Sequence, residues 1–447
     1  MQESKLDTWL TRQLPAVVAV ILVLIPFHAT LTVWLSQAVG HYTALRLWKE
    51  VLLIPLGLGA VYLLIQQRDL RNRVLSSKLT WLIAAYILVQ VVWGIIAYAT
   101  HQVSAKALGY GLVSDTRYLI FFLIVWVIAA KLPKLATAWP KLVFWPACAV
   151  IVFGLLQYFV LPYNFLTHLG YSSATIFPYE DINSNIHYIR IMSTLRGADP
   201  LGAYLVVILS LAVALWQKQK SWWLVLISTV GLLALIFTFS RASWIGLVLS
   251  LAVLLWVGLT SQRARQLTLI GGAAIIVIAA GSALLLRNNT TFQNVFLHTQ
   301  THSAVNTNSN QGHASALSSG LHDLLHNPIG NGPGSAGPAS VYNTRAPARI
   351  AENYFIQIGQ ETGWIGLALF VAINGLVGYK LWQRRHHTLA LGLLAALVGI
   401  TFVNLLSHAW ADDTLAYLWW GLAAIAYAVP PLSPNNMTKE TLPNERE

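Results

Sequence analysis

Residues 221–259 read SWWLVLISTVGLLALIFTFSRASWIGLVLSLAVLLWVGL. Two apolar runs, 221–238 and 243–259, each approach the ~20 residues that carry a helix across a bilayer. Neither run alternates in polarity, so helices are predicted and a transmembrane barrel is not. The runs are split only by Phe239-Ser240-Arg241-Ala242-Ser243. So short a turn puts Arg241, the one charged residue between Lys220 and Arg263, at a membrane edge.

The same pattern fills the chain on either side. Of 447 residues, 56% are hydrophobic and 10% charged, against about 25% charged in an average soluble protein. Roughly twelve runs have spanning character. They are 15–37, 50–66, 79–99, 116–131, 139–161, 200–216, 221–238, 243–259, 267–286, 363–383, 388–407 and 413–431. The expected fold class is all-α, a polytopic membrane protein. The first run follows Lys5 and Arg12 and exceeds a signal-peptide core, so it reads as an uncleaved span.

Every second loop is short and basic. The series is Arg68, Arg71, Arg73 and Lys78; Lys131, Lys134 and Lys141; Lys218 and Lys220; Arg263 and Arg265; Arg384 and Arg385. Such loops face the cytoplasm. Both termini are then cytoplasmic, and 38–49, 100–115, 162–199, 239–242, 287–362 and 408–412 face outward. The net charge of +12 is distributed as topology determinants rather than on one face, so no nucleic-acid partner is expected. The lone Cys148 lies in an apolar run, which excludes a disulfide framework.

Four regions follow: a bundle of about nine spans at 1–286, a large outer loop that is part helical at 287–362, further spanning helices at 363–431, and a polar tail at 432–447 that reads as disordered. Long loops in compact proteins are usually functional, so the chemistry is sought around 287–362.

Arginine is costly at the membrane edge, and an isolated one there is a candidate for function. Arg241 is one; lipid-phosphate snorkelling is its bland alternative. Arg196 precedes Gly197-Ala198-Asp199-Pro200, where Asp199 reads as an N-cap and Pro200 as the first helical residue. A guanidinium before a helix N-terminus suits phosphate oxygens; a surface pair with Asp199 is the alternative. Two arginines at one outer vestibule form a candidate diphosphate clamp, with Arg117 as a third contact. Residues 314–326 have a helical pattern, ended by Asn327-Pro328. The turn Ile329-Gly330-Asn331-Gly332-Pro333-Gly334 follows, and the amides of Gly332 and Gly334 are candidates for approaching an anion. His322 and His326 share a helix face, but Asp323 stands where a zinc protease needs Glu and no third ligand is evident, so no metal is expected. Glu352, before Asn353 and Tyr354, is a candidate general base; an ion pair with Arg349 is the alternative. His408, Asp412 and Asp413 occupy the last outer loop.

These patches, in this order, resemble the O-antigen ligase and O-antigen polymerase superfamily. The patches are Arg196-Gly197 with Asp199-Pro200-Leu201-Gly202; Ser240-Arg241-Ala242; Asn327-Pro328-Ile329-Gly330 with Gly332-Pro333-Gly334; and Glu352-Asn353-Tyr354 with Glu361-Thr362-Gly363 and Gly366. The resemblance implies a GT-C-like bacterial inner-membrane glycosyltransferase. Its donor is an undecaprenyl-diphosphate-linked oligosaccharide and its acceptor a hydroxyl of a glycan or lipid-glycan at the outer face. It uses no cofactor and works beside other glycan-assembly proteins. In its ligases a loop histidine followed by asparagine is the base; here Glu352 stands there. A flippase for a lipid-linked glycan is the rival class. Transporters place charges and broken helices at mid-membrane in repeated halves, neither of which is evident here.

Overall fold

The structure, a computed structural model, describes residues 5–430 apart from 183–184, 260–261, 264–265, 267–280, 282–283, 290–291 and 294–308. Most of the run 267–286, part of the loop 287–362 and the tail 432–447 therefore lie outside the described residues. Eleven of the runs coincide with helices: α1 (Lys5–Leu24) with α2 (His28–Val39), α4 (Trp48–Gln66), α6 (Lys78–Ala99), α7 (Ala105–Lys131), α8 (Lys134–Phe159), α9 (Ala198–Gln219), α10 (Trp222–Phe237), α11 (Arg241–Gly258), α13 (Tyr354–Gln383), α14 (Thr388–Asn404) and α15 (Asp413–Ala428). Eight segments among the described residues are long and apolar enough to cross a membrane, and α10 and α14 are shorter apolar helices. Short helices α3 (Tyr42–Leu45) and α5 (Arg68–Leu75) join spans, and α12 (Ser309–His326) belongs to the large loop.

Two helices begin well before their apolar runs. α7 starts at Ala105 rather than 116, and α13 at Tyr354 rather than 363. Their extra turns carry polar residues, Asp115 on α7 and Gln357, Gln360 and Glu361 on α13, that are buried against protein. Hydropathy stops where polar residues begin; the helix does not, because other parts of the protein supply the hydrogen bonds.

α9 is the axis of one half of the bundle. It is apolar on all sides and nearly all of it is buried, as expected of a helix enclosed by α10, α11 and α14. α11 and α14 cross at Gly246 and Gly399: a Cβ on Gly246 would stand 2.9 Å from the Gly399 carbonyl oxygen. Small residues at a crossing let backbones in a membrane approach closely. The other half pairs α7 with α15 through Tyr118, Phe121, Phe122, Trp126, Trp420 and Tyr427.

The segment 162–199 adds one small non-helical element to the all-α framework. It carries a two-stranded antiparallel ribbon, β1 (Glu180–Ile182) with β2 (Asn185–Arg190), with Glu180 opposite Arg190.

Candidate active site

α12 stands over the bundle and links two regions of the chain. Near its start, the side-chain oxygen of Asn310 accepts from Arg241 Nη2 at 2.8 Å. One turn later His313 Nδ1 pairs with Glu352. Residues three apart share a helix face, so one face of α12 meets both the Arg241 turn and the approach to α13. Arg241 itself is the first residue of α11. Its guanidinium enters a cavity of about 350 Å³ whose lining includes Arg190, Asp199, Ser240, Asn310 and His313.

Glu352 takes a left-handed backbone, φ +52°, which turns its side chain away from the residues after it. Asn353 caps α13, its Oδ1 accepting from the Ile356 amide at 3.0 Å, while its Nδ2 donates to the Leu405 carbonyl at 3.0 Å. Tyr354 is buried and its hydroxyl donates to Asp115 Oδ1 at 3.2 Å. Of this trio only Glu352 faces the site; Asn353 and Tyr354 anchor it. The partner of Glu352 is His313, not Arg349, whose backbone instead pairs with Gly337 and Ser340.

Arg196 is half exposed. Its nearest carboxylate oxygen is Asp412 Oδ2 at 3.9 Å, too far for a hydrogen bond. The other Asp412 oxygen caps α15, accepting from the amides of Thr414 and Leu415 at 3.0 and 3.2 Å. The N-cap expectation at Asp199 is corrected. α9 begins at Ala198 behind Gly197, and Asp199 Oδ1 accepts from Arg190 Nη2 at 2.7 Å. The Ala198 amide is met by Glu180 Oε2 at 3.2 Å. Arg190, carried in by the β ribbon, thus takes the carboxylate that the alternative reading paired with Arg196. Arg196 lines a second cavity, about 420 Å³, with Arg46, Lys49, Lys106, Arg117 and a single carboxylate, Asp413.

His408 lies close enough to Glu352, Arg196 and His313 to feel their charges. Burial pushes His408 down to about 4, so it is neutral at ordinary pH, and its buried Nε2 has no hydrogen-bond partner among the described residues. His313 is shifted the other way: its hydrogen bond to the Glu352 carboxylate raises it against the opposing effect of burial. Burial raises Asp412 too, offset by the positive charge of Arg196.

Arg117 is placed differently from the other two arginines. It is nearly buried and pairs with Asp413 and, at 3.3 Å, with Glu50 Oε1; it also donates to the Ala411 carbonyl at 3.1 Å. Lys49 completes this group, with Nζ 3.1 Å from Glu50 and 3.4 Å from Asp413. On its far side Asp413 meets His28 Nε2 at 2.9 Å. Trp48 Nε1, which can only donate, gives its hydrogen to His28 Nδ1 at 2.9 Å. The proton of a neutral His28 is therefore on Nε2, aimed at Asp413. Arg117 and Lys49 are neutralised by protein carboxylates and form the floor of the 420 Å³ cavity.

The glycine-rich turn is held by α13. That helix breaks at Gly363, φ +64°, which frees backbone groups on either side of the break. The Asn331 and Gly332 amides donate to the carbonyls of Gln360 and Glu361 at 2.9 and 2.7 Å, and the Trp364 amide donates to Pro328 at 3.1 Å. The Gly334 amide donates to the Glu361 carboxylate at 2.9 Å. Gly334, φ +85°, also lies so close to α7 that a Cβ would strike the Ala107 carbonyl. The amides of Gly332 and Gly334, expected to meet an anion, are taken up in this packing.

His322 and His326 stack, centroids 3.9 Å apart, and Asp323 Oδ2 accepts from Gln360 at 3.0 Å. Asp323, with Leu324 packed at Gly359, docks α12 against α13, and no group of metal-binding side chains occurs among the described residues.

The helices and their apolar surfaces define an integral, polytopic, helical membrane protein. Residues 226–371, from α10 through the large loop into α13, match the family model Wzy_C, described as O-antigen ligase. Over this stretch the chain is similar to the O-antigen ligase and polymerase superfamily. No curated protein matches the sequence.

Proposed function

We propose that the protein transfers an oligosaccharide from undecaprenyl diphosphate to a glycan or lipid-glycan hydroxyl at the outer face of the cytoplasmic membrane, on a GT-C-like framework of about twelve spans. The observation that carries this reading is the His313–Glu352 pair, with Arg241 bonded to Asn310 one turn away on α12 and His408 near enough to feel Glu352, His313 and Arg196. The family match over 226–371 takes in Arg241, the pair and the glycine turn.

In the reaction the acceptor oxygen attacks the anomeric carbon as the bond to the diphosphate breaks. The acceptor proton passes to the Glu352 carboxylate, which His313 orients. The electron pair leaves with the diphosphate, and its charge is met by Arg196 and Arg241. Guanidinium groups fixed in place supply the charge stabilisation, so the step assigns no role to a metal. Attack opposite the leaving group inverts the anomeric carbon. The neutral His408 and the aspartates 199 and 412 set the positions of the charged groups around the pair.

The test is reconstitution of purified protein with an undecaprenyl-diphosphate-linked oligosaccharide, in the presence of EDTA, with products resolved on gels. A ladder of longer lipid-linked glycans identifies a polymerase, and donor consumption only with a second acceptor identifies a ligase. Absence of consumption with every acceptor, for donor supplied on the outer side, rejects the reading.

A further inference from the structure

The helices that reach the candidate active site at one end enclose a cationic cavity at the other. α13 runs from Tyr354, just after Glu352, to Gln383, just before Arg384; α15 runs from Asp413 to Ala428; and α6 runs from Lys78 to the neighbourhood of the glycine turn. Between their far ends is a cavity of about 420 Å³ lined by Arg73, Lys78, Lys380 and Arg384, and by no carboxylate. Among the described residues none of these four cations makes an ion pair.

Arg384 is the most telling. Its residue is 6% exposed, and a buried charge with no counter-charge is costly. Nε donates to the Val429 carbonyl at 2.7 Å and Nη1 to the Lys380 carbonyl at 3.1 Å, with the guanidinium 5.0 Å above the Tyr427 ring. Arg73 Nη2 donates to the Ala428 carbonyl at 3.2 Å. Basic side chains commonly cap the carbonyls of a helix C-terminus, which accounts for how both arginines point. It does not account for the two lysines gathered with them; among the described residues Lys380 Nζ meets neutral groups, the Gln383 amide oxygen at 3.2 Å and the Tyr379 ring at 5.7 Å. Burial, with the nearby charge of Arg73, lowers Arg384 from its ordinary value, as crowding of cations without an anion does.

We infer that this cavity is a binding site for a phosphate group, distinct from the candidate active site and supplied by an anionic phospholipid headgroup or by free phosphate. Basic pockets between spanning helices recognise such headgroups. Leu376 and the half-exposed Tyr379 lie at its wall, where an acyl chain would continue along α13.

The experiment uses full-length protein in an uncharged detergent. Thermal melting and native mass spectrometry are run with cardiolipin, phosphatidylglycerol, phosphatidylcholine and inorganic phosphate. The anionic lipids are expected to be retained and to raise the melting temperature, while phosphatidylcholine does neither. Lys78→Gln with Lys380→Gln, both at accessible positions, weakens the apparent affinity about ten-fold or more. Arg68→Gln with Arg71→Gln, outside the cavity, leaves it unchanged. If millimolar inorganic phosphate reproduces the shift, the occupant is free phosphate; if it has no effect, the headgroup is required. Equal response of the lysine double variant and the parent, or of phosphatidylcholine and cardiolipin, overturns the inference. No step reads glycan transfer, so the outcome is independent of the proposed function.

Discussion

His313 and Glu352 form an ion pair although one lies on the loop helix and the other at the entrance to a spanning helix. Removal of either partner should damage the same step. General acid–base groups contribute roughly 10²–10⁴-fold to rate, and Glu352→Gln or His313→Ala is expected to lose that much turnover with donor binding kept. A double variant no worse than the more impaired single one marks a unit; fully multiplicative losses in single-turnover assays would separate the two residues.

Arg241→Ala removes the charge that faces Asn310 and the 350 Å³ cavity. Loss of one donor to a developing negative charge costs about 10²–10³-fold. Transfer should fall by that order while the protein still inserts and melts normally. A normal polymer yield from this variant would reject the clamp.

The pair and His408 predict a stability profile with two limbs. His313 is raised by its bond to Glu352, so its contribution is complete below the unfolded value, about 6.5, and is lost as pH rises through the folded value. His408 is lowered to about 4. Between that value and ~6.5 the unfolded chain binds the extra proton, so stability falls as pH falls through this window. Melting temperatures measured across pH should flatten on the alkaline limb in His313→Gln and on the acid limb in His408→Asn. Unchanged slopes in both would dismiss the assignment.

Asp413 shares with Glu50 the neutralisation of Arg117 and Lys49 at the cavity that Arg196 lines. Breaking a buried ion pair by removing one partner costs about 3–5 kcal/mol. Asp413→Leu is therefore expected to lower the melting temperature sharply, and adding Arg117→Met should restore part of it. Equal instability of single and double variants would show that packing, not charge, is what Asp413 supplies.

The spans were legible because a membrane helix must be apolar over its length, and α9, α10 and α11 carry that record residue by residue. The early starts of α7 and α13 were not, since Asp115 and Glu361 look like loop residues until the protein around them is known. Arg241, Arg196 and Glu352 stood out as isolated charges at apolar boundaries. His313 did not: the helical pattern was read from Ala314 onward, and its partner is far along the chain. Arg190 was hidden for a related reason. Its claim on Asp199 depends on a strand pairing in a segment that hydropathy reads as plain loop, whereas Asp199-Pro200 carries a strong local cap signal. Arg46 and Lys106 lay in outer loops with nothing local to connect them to Arg196.

The tie between Gly334 and Glu361 has a consequence for biosynthesis. The turn leaves the ribosome before the helix that holds it, and it packs against α7, made much earlier. Until Glu361 is in place the Gly334 amide lacks its acceptor, so the loop segment must wait for α13 to be made. A nascent chain halted between the turn and α13 should expose that segment to proteases, and release of the halt should protect it.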